Sequence, residues 1–226
     1  MNNREFNDAV FGHFARVGAA LGNAKRVEMV AVLAQGERSV DELARQVGAS
    51  VGNTSRNLQV LASAGLVTKR VEGTSRIYRL SHPSVLAAYR ALVKVSEERI
   101  ADVSALTSSF FNEFDDAKPM QLDDLERAVE EEEELTLIDV RPVDEYLAGH
   151  VTGAISIPLS DMAERMDELP LDTPIVAYCR GPYCVMAAHA VKQLREAGFS
   201  ATRLEPGYPE WRMNQDSNPQ TPQKNL

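Results

Sequence analysis

Cysteine is almost absent from this chain of 226 residues: there are two, and both lie in the stretch Tyr178-Cys179-Arg180-Gly181-Pro182-Tyr183-Cys184. Long apolar runs are missing as well. None approaches the roughly 20 residues needed to cross a bilayer, and Met1-Asn2-Asn3-Arg4-Glu5 lacks the apolar core of a secretion signal. These absences lead us to expect a cytoplasmic protein with no membrane contact. Thiols are held reduced in that compartment, so two cysteines five positions apart are expected to be reactive or redox-switched rather than a permanent staple.

What is present is ordinary for a globular protein, 44% hydrophobic and 25% charged, in a chain long enough for one large or two ordinary domains. Charge is unevenly spread. Residues 1–118 hold 15 of the 24 Lys and Arg against 13 of the 33 Asp and Glu, leaving 9 against 20 for residues 119–226 and a net charge of -9 overall. The asymmetry implies two modules with different partners, and the more basic one is where a polyanion site belongs.

In the first module Phe6, Val10, Phe14, Val17 and Leu21 recur at helical spacing, and Asn23 is placed to cap a second helix carrying Val27, Val30 and Leu33 as far as Gly36. Residues 39–47 read as a third helix and Gly48-Ala49-Ser50 as a turn. A helix burying Thr54, Leu58 and Leu61 follows. Its other face then presents Gly52, Asn53, Ser55, Arg56 and Gln59, short polar groups and one arginine that suit a helix in a major groove. Ser50 at the N-cap would lie near a phosphate. Beyond Gly65, residues 66–71 and 75–80 alternate as a β-hairpin joined by Glu72-Gly73-Thr74, offering Lys69, Arg70, Arg76 and Arg79. A helix-turn-helix followed by a basic hairpin is the pattern of a winged module for double-stranded operator DNA.

Residues 5–106, with SVDELARQVGASVGNTSRNLQVLASAGLVTKRVEGTSRIYRL at their heart, resemble the ArsR-type winged-helix repressors. The resemblance implies a homodimer that pairs through the first and last helices of the module and leaves its operator when an inducer binds. Independently, a long helix is expected over residues 84–112. Its Val85, Tyr89, Leu92, Ile100, Val103, Leu106 and Phe110 form an apolar seam too extensive for one small domain to bury, whether it meets a second copy or the chain's own other half. The metal-sensing members carry a cysteine pair where this chain reads Glu37-Arg38-Ser39-Val40-Asp41, and no histidine follows His82 in the long helix. No metal and no cofactor is expected.

Residues 112–119, polar and acidic and ended by Pro119, read as a linker. The expected division is therefore residues 1–117, a second domain over 118–214, and a disordered tail over 215–226. In the second domain, strands expected over 135–140, 154–157, 175–178 and 201–204 alternate with helices near 121–131, 143–148, 160–168 and 185–197. That alternation argues an α/β fold with a central parallel sheet. Ligands collect at the carboxyl ends of such strands, where Cys179 stands. Loop amides and a helix N-terminus make a cradle for an anion and lower a thiol's pKa, and Arg180 adds positive charge. Gly181 lets the backbone fold inward, Pro182 stiffens the loop and Tyr183 walls it. Cys179 is thus expected to be a nucleophilic thiolate rather than small apolar filler.

This half is similar to the rhodanese homology domain, with LIDVRPVDEYLAGHVTGAISIP, YCRGPYC and AGFSATRLEPGYPEW carrying the likeness over residues 120–213. The resemblance implies that Cys179 carries sulfane sulfur as a persulfide. It implies too that Asp139 and Arg141 belong to a turn near the site, with Arg141 paired to Glu145 and with His150 and Gly153 as scaffold. The spacing from Cys179 to Ala197-Gly198-Phe199 is longer than in the family, so the small ligand at Cys179 is either a sulfur donor or an oxyanion such as arsenate. Cys184 is placed either to attack a persulfide on Cys179 or merely to pack. Glu130–Glu134 read as solvated charge, and Tyr208 and Trp211 as core or lid. The expected whole is a repressor set by sulfur loading or oxidation of its second domain, the alternative being a sulfurtransferase or arsenate reductase tethered to a DNA binder.

Overall fold

The computed structural model describes residues 1–112 and 119–217 and divides into two compact units, Met1–Arg99 and Ile100–Leu226. Unit one runs α1 (Asn3–Leu21), α2 (Ala24–Leu33), β1 (Arg38–Ser39), α3 (Val40–Gln46), α4 (Val51–Ser63), β2 (Val67–Glu72), β3 (Ser75–Leu80) and α5 (Pro83–Arg99). Each of the first four helices starts at an Asn or Ser whose side chain accepts a hydrogen bond from a first-turn N–H: Asn2, Asn23, Ser39 and Ser50. At α1 and α3 the reciprocal bond from Glu5 or Glu42 completes a capping box. Met29, Val30, Leu43, Leu58 and Leu61 are fully buried, and the core they form closes against Val67 and Tyr78 of the hairpin.

Two features of this unit differ from expectation. Strand β1 pairs antiparallel with β3, Arg38 opposite Tyr78, giving the order β1-β3-β2. Two residues are too few to show alternation, and Ser39 doubles as the cap of α3. The helix expected over 84–112 is two helices: Ile100 is extended at φ -115 and ψ 100, ending α5, and α6 (Ala101–Phe111) follows. The expected seam is divided with it. Phe111 is buried within unit two beneath the Arg203 guanidinium, 4.5 Å from the ring centroid, whereas Leu92, Ile100, Leu106 and Phe110 remain exposed. On α1, Phe6, Phe11 and Phe14 are 52–66% exposed, an apolar face left open among the described residues.

Unit two continues with α7 (Leu122–Glu130), β4 (Thr136–Asp139), α8 (Val143–Ala148), β5 (Ile155–Ser156), α9 (Met162–Arg165), β6 (Ile175–Tyr178), α10 (Val185–Glu196), β7 (Ala201–Arg203) and α11 (Tyr208–Ser217). All pairings in its four-stranded sheet are parallel, in the order β5-β4-β6-β7. Alternation along β4 and β6 sends Ile138 and Ala177 into one core, with Met162, Val191 and Leu194, and Leu137, Val176 and Tyr178 into the other, with Leu125 and Leu204. The helix expected over 160–168 is a single α-turn flanked by two 3-10 turns. Residues 215–217, expected in the tail, are the last turn of α11. The rest of that tail, and nearly all of the expected linker, lie outside the described residues.

Candidate nucleic-acid interface and thiol loop

Helix α4 buries Thr54, Leu58 and Leu61 at i, i+4 and i+7. Periodicity then leaves Asn53, Arg56 and Gln59 exposed and Ser55 half-buried on the opposite side, with Ser50 exposed at the N-cap. Asn57, between them, accepts a bond from Arg26 at 3.2 Å, and Arg26 also closes on the carbonyls of Ala19 and Ala20, so α1, α2 and α4 are tied at one end.

Cross-strand register sorts the wing. Lys69 lies opposite Tyr78 and Val71 opposite Arg76, on the hairpin face whose Val67 and Tyr78 enter the core lined by α4. Arg70, opposite Ile77, and Arg79, opposite Thr68, lie on the other face. There Glu37 takes Arg70 at 3.0 Å and Arg79 at 3.9 Å, and Glu72 also binds Arg70. Of the hairpin cations grouped together from sequence, Lys69 and Arg76 share the α4 side, while Arg70 is held by two carboxylates. The period of two separates them, and the partner Glu37 is 33 residues away in sequence.

The cysteine pair occupies the loop between β6 and α10. Cys179 follows the last strand residue and is 3% exposed; Cys184, half-buried, is the N-cap of α10, and the two are free thiols. Gly181 turns the loop with φ 147, and the Cys184 N–H donates to the Gly181 carbonyl at 3.0 Å. Cys179 Sγ points to the Cys184 carbonyl at 3.4 Å and the Gly181 carbonyl at 4.0 Å.

These contacts divide the acidity between the thiols. Burial pushes Cys179 well up, reinforced by its bond to Cys184, although amides of Ala187 and Gly181 oppose the rise. Cys184 is pushed down to about 7 by the hydrogen bond from Cys179, against its own burial, with help from the N–H groups of Arg180 and Met186 and from the Arg180 charge. The amide cradle expected around Cys179 therefore exists in part, set against the burial of that thiol, and N–H groups of the same loop act on Cys184 as well. Reasoning from the cradle alone omitted the cost of burying Cys179.

Two guanidinium–carboxylate pairs stand in this part of the domain, the first of them anchoring the loop. Arg180 donates to both oxygens of Glu145 at 2.6–3.1 Å, with Glu145 fully buried. Arg141 pairs with Asp139 at 2.6 Å, both fully buried, and donates to the Gly149 carbonyl. Glu145, expected as the partner of Arg141, thus holds Arg180, and reaches Arg141 through its field. Tyr178 donates to Asp139 at 2.7 Å and accepts from the Val151 N–H, its hydroxyl pushed far up by burial and by Asp139. Pro182 is half-buried in the loop and Tyr183 is 42% exposed at its rim.

Gly207 was not singled out from sequence. A Cβ there would lie 2.3 Å from the Gly181 nitrogen and 2.4 Å from the Arg180 carbonyl carbon, so only glycine lets this segment abut the thiol loop. The Tyr208 N–H then donates to the Cys179 carbonyl at 3.2 Å, and Glu210 accepts from the Gly207 N–H. Among the described residues no cluster of three or more His, Cys, Asp or Glu is arranged to hold a metal ion, and no helix is long and apolar enough to cross a membrane.

A model of the Rhodanese-like domain matches residues 121–214, and the family HVO_A0114 matches residues 22–81. Over 205 residues, 91% of this chain and 89% of the relative, the sequence is 43% identical to HTH-type transcriptional regulator Rv0324 of Mycobacterium tuberculosis. The chain belongs to the helix-turn-helix transcriptional regulators. Its carboxyl half is a rhodanese-like domain on a parallel sheet. That half is also 34% identical over 87 residues, 38% of this chain and 82% of the relative, to a Bacillus subtilis protein named "Putative sulfurtransferase YtwF". The homodimeric winged helix-turn-helix DNA-binding domain Mb0332 of Mycobacterium bovis is 36% identical, covering 45% of this chain and 93% of its own, with a TM-score of 0.41.

Proposed function

We propose that this regulator acts in the cytoplasm as an ArsR-type homodimeric repressor on double-stranded operator DNA, and that its rhodanese-like domain carries sulfane sulfur as a persulfide on Cys179. Sulfur loading or oxidation of the loop would then set its hold on DNA. The observation that carries this reading is the distribution of chemistry: unit one has the α4 and wing surface and no thiol, while both thiols meet in one braced loop of unit two. The uncovered phenylalanines of α1 supply the apolar area a second copy would bury.

Loading follows from the paired thiols. Cys179 passes its proton to the Cys184 thiolate and attacks the outer sulfur of a persulfide or polysulfide donor. The new S–S bond on Cys179 forms as the donor's S–S bond breaks, and the donor leaves as a thiolate. Equilibrium binding of the full-length protein to operator DNA, with and without inorganic polysulfide, tests the regulatory role. A tenfold change in affinity, about 1.4 kcal/mol, is expected; unchanged affinity would remove it. The likeness to YtwF favours a second reading in that event, a sulfurtransferase brought to DNA by its first half.

A further inference from the structure

The same loop holds a second nucleophile whose position gives the sulfur a further fate. Cys184 is the more exposed of the two thiols and sits at the N-cap of α10. Cys179 Sγ lies 3.4 Å from the Cys184 carbonyl, so the two cysteines already meet across the loop. Gly181 and the Cys184-to-Gly181 backbone bond fold the intervening residues back on themselves, which brings together the ends of a six-residue loop. The Arg180–Glu145 pair anchors that loop from outside.

The geometry points to a dithiol that closes on itself: once Cys179 carries sulfane sulfur, Cys184 attacks the Cys179 Sγ, forming a Cys179–Cys184 disulfide and expelling hydrosulfide. The donor thiolate released in loading takes up the proton from Cys184, leaving a thiolate to make the attack. One S–S bond forms and one breaks, the electron pair departs with hydrosulfide, and no further oxidant is needed. A low-molecular-weight disulfide brings the pair to the same state by two exchanges. Cys184 attacks it, releasing one thiolate, and Cys179 then displaces the second. The persulfide route rests on the sulfur-loading reading above; the exchange route does not.

Trypsin cuts after Arg180, between the two cysteines, so the bond reads directly as a covalent link between peptides 166–180 and 181–192. Reduced full-length protein is treated with inorganic polysulfide or with glutathione disulfide, quenched by alkylation, digested without reductant and analysed by mass spectrometry. In wild type, polysulfide is expected to yield the linked peptides with release of hydrosulfide, while Cys184→Ser keeps one extra sulfur atom on peptide 166–180. Wild type that retains that sulfur as the variant does would overturn the proposal. If neither protein takes up sulfur, persulfide loading fails, and glutathione disulfide decides the dithiol alone. Linked peptides then uphold it, and a persisting glutathione adduct or unreacted thiols refute it.

Discussion

Cys179 and Cys184 lie five positions apart, yet their acidities diverge: burial pushes Cys179 up, while Cys179 as a neighbour and the loop N–H groups push Cys184 down. Cys184 is pushed down to about 7, so its alkylation by iodoacetamide should rise through a midpoint near neutral pH. Cys179→Ala removes the largest cause of that depression and should move the midpoint toward the ordinary thiol range near about 8.5, whereas Cys179→Ser keeps a donor and should hold it low. Equal midpoints in the two variants would contradict this account. Gly207 makes a second prediction, because its Cβ would strike backbone rather than a movable side chain. Gly207→Ala should destabilise unit two by about 1–3 kcal/mol and raise thiol reactivity, as read by thermal melting and alkylation rate.

On the proposed operator-binding reading, helix and strand faces decide which cations would meet DNA. Lys69 and Arg76 lie on the hairpin face that enters the α4 core, and neither has a carboxylate partner among the described residues. Lys69→Ala and Arg76→Ala should each weaken operator binding and lower the slope of log affinity against log salt by about 1, if each neutralises one phosphate. Arg70→Ala should change that slope least, since Glu37 and Glu72 already occupy the guanidinium. Binding titrations across salt concentrations separate the three. Alternation and capping made these elements readable in advance: Asn23 and Ser50 begin helices where Asn and Ser caps predict. Strand β1 was not readable, because two residues carry no period and owe their pairing to β3, nearly forty positions on. The break at Ile100 was hidden for a related reason: apolar spacing continues across it, and where Phe111 buries its ring depends on Arg203, not on its own helix.

For the chain as a whole, three cores and an apolar face of α1 left exposed among the described residues bear on assembly. Phe11 and Phe14 stack edge to face with centroids 5.8 Å apart on the open side of α1. Replacing both with Asp should leave the unit-one core intact, since neither belongs to it. The variant should sediment as a monomer and bind operator at least tenfold more weakly; a dimer of unchanged affinity would place the interface elsewhere.

Local rules, which need only neighbours in the chain, settled the winged module, the parallel sheet and the place of the thiols at a strand's end, because period, caps and turn glycines act over a few residues. Contacts between distant segments settled the rest. Glu37 claims Arg70 across 33 residues, Glu145 claims Arg180 across 35, and Gly207 presses on Gly181. Burial, set by the fold around the loop, pushes the Cys179 thiol up while the groups around Cys184 push that one down, since a charge's cost depends on how much protein surrounds it and which N–H groups reach it.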